Sequence, residues 1–147
     1  MIANVVGARV YASPMPEIGW FPVRLTRAAA SHPLVRDLPG EFVPLHWHGE
    51  TFDLPPGSIR LAESPACSNQ AFAIGSSVLG LQFHLEATAD SVRGLVDNSR
   101  HELVAAPYVQ TEPEILAGVA SAAELHAVLY RILDRWATGA SAKTGSL

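Results

Sequence analysis

The sequence predicts a three-layer α/β domain with a mostly parallel central sheet and one small antiparallel hairpin. Three observations lead there. Val78 to Phe83 is short and apolar, the pattern of a buried strand. It ends on two ionisable residues, His84 and Glu86, before a helix that opens near Thr88. Further apolar runs precede it, each bounded by turn-forming residues. In an open α/β sheet the carboxyl ends of strands border the ligand crevice, so His84 and Glu86 fall where chemistry is expected.

Taken in order, Ile2, Ala3, Val5 and Val6 read as the end of a buried helix, with Gly7 as its C′ residue. Arg9 to Ala12 is a short strand. Ser13-Pro14-Met15-Pro16 breaks it. Ile18 to Thr26 is the next strand, with Pro22 calling for an edge or a bulge. Ser31 to Gly40 is loop or a single helical turn. Phe42 to Trp47 is a strand, His48 to Gly57 a loop closed by Pro55-Pro56-Gly57, and Arg60 to Glu63 a short strand. Gln70 to Ile74 and Val78 to Phe83 form a hairpin across Gly75-Ser76-Ser77. Thr88 caps a helix with Val92, Leu95 and Val96 on one face. Thr111-Glu112-Pro113-Glu114 and Ser121-Ala122-Ala123-Glu124 are both capping-box patterns, so the last apolar run divides between Gly118 and Ser121. Residues 138–147 are small, polar and Gly/Ser-rich and read as a disordered tail after a single domain over 1–137.

Composition narrows the functional classes. The 147 residues suit one domain, and a 48% hydrophobic content supplies a sizeable core. The net charge is −4 and the pI about 5.8. The 10 basic residues are scattered, with no cluster to neutralise phosphates, which argues against a nucleic-acid partner. Cys67 is the only cysteine, so an internal disulfide is excluded and a reducing cytoplasm fits. The first residues lack the basic start and long apolar core of a signal peptide. No stretch reads as a membrane span.

A histidine at a strand end can shuttle a proton near neutral pH, and a nearby carboxylate can fix its tautomer and stabilise its cation. His84 and Glu86 are therefore two-thirds of a nucleophile–His–acid triad. The only thiol, Cys67, sits in the turn Pro65-Ala66-Cys67-Ser68-Asn69, with no flanking glycine pair and no helix N-terminus to activate it. His46 and His48 share a face if their strand continues. A three-His metal site with His84 is conceivable, but no surrounding pattern supports it. Gln70 and Gln82 read as structural groups that tie loops. Trp20, Trp47 and Trp136 read as core or pocket-wall aromatics.

The ordered segments Glu17-Ile18-Gly19-Trp20-Phe21-Pro22-Val23, His46 to Gly57, Asn69-Gln70-Ala71-Phe72 and Gly80-Leu81-Gln82-Phe83-His84-Leu85-Glu86 resemble the class I glutamine amidotransferases. The resemblance runs from about Met1 to Trp136 and is similar in kind to the amidotransferase domain of GMP synthase. It implies a flavodoxin-like three-layer fold, a Cys-His-Glu triad and no cofactor or metal. His84 matches the general base and Glu86 the carboxylate that orients it. His48, Gly49 and Glu50 match the loop bordering the glutamine pocket.

In that family a Gly-x-Cys-x-Gly-x-Gln elbow precedes the helix leading into a segment like Gly7-Ala8-Arg9-Val10. The elbow would lie before Met1. The sheet is therefore expected to be incomplete at its N-terminus, with an open apolar groove beside the strand ending at His84. Without a nucleophile the chain is expected to lose about 10⁶ in turnover, or roughly 8 kcal/mol of barrier lowering. The implied substrate is glutamine or a γ-glutamyl amide, and the implied partners are a synthase or a second copy, with neither nucleic acid nor membrane. A γ-glutamyl hydrolase-like fragment and a non-catalytic binding or dimerisation module are the alternatives.

Overall fold

The computed structural model describes the backbone of residues 2–144 and the side chains of residues 2–138. The chain opens with a one-turn helix, α1 (Ile2–Val5). It ends as its sequence predicts. Gly7 takes φ +88°, Gly7 N–H bonds Asn4 O at 3.1 Å, and Ala8 N–H bonds Ala3 O at 2.9 Å. That is a Schellman closure, and only glycine adopts its C′ conformation without strain.

Seven strands follow: β1 (Val10–Trp20), β2 (Val23–Leu25), β3 (Glu41–Phe42), β4 (Leu45–Phe52), β5 (Ile59–Glu63), β6 (Ala71–Ile74) and β7 (Val78–Leu81). β1 pairs with β4, and the others form a sheet in the order β3-β2-β5-β6-β7. The break expected at residues 13–16 is a register irregularity inside one long strand: β1 pairs as Ala12↔Glu50 and resumes as Glu17↔His48. Pro22 falls in the gap between β1 and β2. The loop expected over His48 to Gly57 is instead strand as far as Phe52, because Glu50 to Phe52 pair with Val10 to Ala12 and His48 pairs with Glu17.

The α/β class stands, but the expectation of mostly parallel strands needs correction. Among the described residues every named strand pairing is antiparallel. The reason lies in the connections. Parallel neighbours need a crossover of about a dozen residues or more, usually a helix. Here β5, β6 and β7 follow one another through short turns, and the longer helices all come after β7. The parallel contact that does form is an isolated bridge, Ile18↔Val109.

Strand β6 is buried on both faces. Ala71 and Ala73 enter the main core with Ile18, Phe83, Leu85, Val92, Ile115, Leu125 and Ile132. Phe72, pointing the other way, joins Ala3, Ala8 and Phe52 in a second core under α1. The sheet thus lies between α1 and the C-terminal helices, the three layers the sequence predicts.

Those helices are α2 (Ala89–Ser99), α3 (Glu112–Gly118) and α4 (Ala122–Thr144). Thr88 and Ser91 form a reciprocal capping box on α2, and Thr111 and Glu114 form one on α3. A single 3₁₀ turn, Val119–Ser121, separates α3 from α4 where the second capping-box pattern stands. α4 takes in residues 138–144 of the segment read as a tail; 145–147 lie outside the described residues. Within Glu112–Thr138 an 18-residue window has a mean hydropathy of 1.3, so by length and composition this run could cross a membrane, which the sequence reading did not expect. Its apolar residues have another role here: Ile115, Ala122, Leu125, Val128 and Ile132 are buried in the main core.

Candidate active site

Beyond β7 the chain stays extended, and its side chains alternate. Phe83, Leu85 and Ala87 are buried, while His84 and Glu86 turn outward on the same side. His84 N–H donates to Leu45 O at 2.8 Å, holding this segment against β4. His126 on α4 bonds Ala87 O at 2.9 Å and fixes the other end just before the Thr88 cap. Between these anchors His84 Nδ1 lies 2.6 Å from Glu86 Oε1. Burial pushes the Glu86 carboxyl up, but the hydrogen bond from His84 and the nearby backbone N–H groups outweigh it and hold the group below its usual value. A carboxylate on Nδ1 makes that nitrogen the donor, leaving Nε2 as the lone-pair side of the ring. The imidazole is 40% exposed and reachable from solvent.

His84 and Glu86 border an open apolar groove of about 320 Å³. Ile2, Leu81, Phe83, Leu129, Leu133 and Trp136 complete much of its wall. This is the groove expected beside the strand. Ile2, at the start of α1, shares it with His84.

A second cavity of about 320 Å³ is lined by Trp47, His48, Gly49, Glu50, Leu81 and Gln82. It brings together the three residues expected to border a substrate pocket. A Cβ at Gly49 would meet nothing within 4 Å, so the glycine leaves the backbone open to the cavity. Leu81 lines both cavities, so they adjoin at the end of β7.

Behind the second cavity is a buried polar network that the sequence did not reveal. Glu17, His46 and Gln70 have no exposure, and Gln82 is 8% exposed. Glu17 accepts from Ser64 Oγ at 2.8 Å and from Gln70 Nε2 at 2.5 Å. Its Oε2 lies 3.4 Å from His48 Nε2. His46 Nδ1 is also 3.4 Å from His48 Nε2. Burial raises the Glu17 carboxyl, opposed by the bonds from Ser64 and Gln70. Burial, then the neighbouring His48 and His84, drive His46 down to about 3. Burial, then His84, take His48 to about 4, against a bond to Glu50 O. Both imidazoles are neutral at physiological pH.

Gln70 and Gln82, expected to tie loops, both hydrogen-bond within this network. Each, however, leaves its Oε1 buried without a partner. Cys67 is buried, and its sulfur contacts Thr51 Oγ1 at 3.2 Å and Gln82 Nε2 at 3.4 Å. Those partners belong to the buried network, whereas His84 pairs with Glu86 on the groove. Glu17 opens the segment Glu17 to Val23, and the sequence alone assigns it no role. The available signal was a carboxylate immediately before the apolar run Ile18 to Trp20 on a strand.

No protein-family model matches the chain. It is 34% identical over 137 residues to the glutamine amidotransferase-like protein YfeJ of Salmonella typhimurium strain LT2, covering 91% of this chain and 56% of that protein. It superposes on a glutamine amidotransferase from Methylobacillus flagellatus with a TM-score of 0.84 at 31% identity, covering 94% and 58% of the two chains. A glutamine amidotransferase from Thermotoga maritima gives a TM-score of 0.79 at 30% identity, with 92% and 57% covered. The chain spans a little over half the length of each of these proteins.

Proposed function

Given that this chain is a class I glutamine amidotransferase-like domain, we propose that it carries the proton-transfer half of a glutaminase centre. The observation that carries this reading is the 2.6 Å His84–Glu86 pair on the groove wall. His84 is the general base and Glu86 orients it. His48, Gly49 and Glu50 border the pocket for the side-chain carboxamide of glutamine. The nucleophilic thiol comes from outside the described residues, and the groove shared by Ile2 and His84 is where it would stand.

The chemistry follows from those positions. His84 Nε2 takes the thiol proton as sulfur attacks the carboxamide carbon. Collapse of the tetrahedral adduct returns that proton to nitrogen, ammonia leaves, and a thioester remains. Water, deprotonated by the same nitrogen, then releases glutamate. Glu86 stays ionised throughout and stabilises the imidazolium. The ammonia passes to an acceptor on a synthase partner, and the site of action is the cytoplasm.

The test is ammonia release from glutamine. The chain alone is expected to show none above background. Co-expressed with the portion of the Salmonella relative that it does not match, it is expected to gain glutamine-dependent release that His84→Ala abolishes. Release by the chain alone, or release indifferent to His84→Ala, would refute the assignment.

A further inference from the structure

We infer that Glu17, His46 and His48 form a binding site for a divalent first-row metal ion, with zinc the best fit, pinning β1 to β4 behind the His48–Gln82 cavity. This inference does not depend on the glutaminase reading.

The hydrogen bonds of the two rings carry the argument. His46 Nε2 faces Phe21 O at 3.1 Å. His48 Nδ1 faces Glu50 O at 3.2 Å. A carbonyl oxygen only accepts, so in the tautomer that satisfies both carbonyls each of those nitrogens carries the proton, and the amide Gln82 Nε2, which only donates, is then left to His48 Nε2 at 3.4 Å rather than to Nδ1 at 3.2 Å. In that tautomer the remaining nitrogens, His46 Nδ1 and His48 Nε2, present lone pairs. They point at each other across 3.4 Å, with Glu17 Oε2 also 3.4 Å from His48 Nε2 and Glu17 Oε1 4.0 Å from His46 Nδ1. Three acceptors therefore converge, and the donor beside them, Gln82 Nε2, reaches only His48 Nε2, at 3.4 Å. Facing lone pairs in a buried site repel unless a cation lies among them.

Both oxygens of Glu17 already accept hydrogen bonds, one from Ser64 and one from Gln70, which favours the carboxylate over the acid. Neither Lys nor Arg pairs with it among the described residues. Ionised, Glu17 is a buried anion lacking a fixed countercharge among the described residues, and a metal ion would supply one.

The spacing and surroundings agree. Two ligands about 2.0–2.1 Å from zinc at a tetrahedral angle stand about 3.4 Å apart, as two of the three pairs here do. The ligand atoms all fall within 4.8 Å of one another. Ring N–H groups tied to backbone carbonyls are the usual outer partners of metal-bound histidines, because they fix tautomer and ring angle. Two imidazoles and a carboxylate suit zinc and its neighbours rather than calcium or magnesium. The sequence pointed to no metal and grouped His46 and His48 with His84. The third ligand is instead Glu17, the direct cross-strand partner of His48.

The experiment uses the full chain, stripped with a chelator and titrated with zinc against a chromophoric competitor, with metal content read by mass spectrometry. One equivalent is expected to bind tightly and to raise the unfolding temperature. Glu17→Gln, His46→Gln and His48→Gln should each weaken binding by about 10- to 100-fold. His101→Gln, on the surface, should not. Cobalt substitution gives a readout that does not require a stable variant: visible d–d bands of a low-coordinate nitrogen/oxygen site are expected in the wild-type protein. Absence of stoichiometric zinc binding, or binding that survives His46→Gln/His48→Gln, would overturn the inference. The network would then be completed by a proton on Glu17.

Discussion

The imidazole of His84 and the carboxylate of Glu86, two residues apart, meet at 2.6 Å because the buried residues between and around them force both to the same side of the chain. In the complemented protein, Glu86→Gln is expected to lower glutamine turnover by roughly 10⁴, since the ring loses both its tautomer and its ion partner. His84→Ala should cost at least as much. Steady-state ammonia release measures both, and a loss below tenfold in either variant would count against the pairing.

The same pair makes stability depend on pH in a defined direction. The folded Glu86 carboxyl lies below its unfolded value of about 4.3, so its contribution is fully present above that value. The contribution is lost as pH falls through the folded value. Denaturant melts of the wild type and Glu86→Gln between pH 7 and 3 should therefore differ most at neutral pH and converge in acid. Parallel curves would contradict the depressed carboxyl.

Cys67 is buried between Thr51 and Gln82 and is expected not to react as the nucleophile. A diazo-ketone analogue of glutamine should leave it unlabelled at concentrations that modify the complemented site. Mass spectrometry locates the adduct, and glutamine-protectable labelling of Cys67 would reverse the conclusion.

Gly118 ends α3 directly against Trp20. A Cβ there would lie 2.2 Å from Trp20 Cδ1, and that indole is held by its own bond to Ile115 O at 2.8 Å. Alanine improves helix propensity by about 1 kcal/mol, but overpacking against an anchored ring costs about 1–3 kcal/mol or more. Gly118→Ala is expected to lower the melting temperature. The loss should shrink in a Trp20→Leu background, a coupling that a double-mutant cycle measures.

The groove beside His84 exposes Ile2, Leu133 and Trp136 to 49%, 41% and 40% respectively. Apolar surface gathered in this way favours association. Sedimentation velocity is expected to show concentration-dependent self-association of the isolated chain. Leu133→Asp with Trp136→Asp should reduce it. A monomer at every concentration would show that the groove is tolerated in water.

Local signals proved the most legible. The H-x-E spacing, the hairpin across Gly75-Ser76-Ser77, Gly7, the Thr88 cap and the Thr111–Glu114 capping box follow from short-range chemistry, and each appears where the residues place it. Strand direction was not legible in this way. It depends on which strands meet across the sheet, and a strand's own residues do not report its neighbour's polarity. His48 to Phe52 reads as a loop because Gly49 and Glu50 are poor strand formers; the pairing of their neighbours and of Glu50 with β1 overrides that preference. Glu17 was missed for a related reason. Its burial is decided by Ser64, Gln70 and the two histidines, all remote in sequence.

The irregularity in β1 sets Ser13, Pro14, Met15 and Pro16 against Gly49 alone. A strand with that much slack could adopt several alignments with its neighbour at little backbone cost, and a one-residue slip would reverse the face of every side chain beyond it. Glu17 removes the degeneracy. Only the observed alignment places its carboxylate opposite His48 and within reach of Ser64 and Gln70; neighbouring alignments would strand a charge in an apolar interior. The polar knot therefore works as a key that admits one threading of β1 past β4. Replacing it with well-packed apolar residues should preserve or even increase thermal stability while allowing frame-shifted conformers. Those would appear as doubled amide resonances for Ile18 to Trp20.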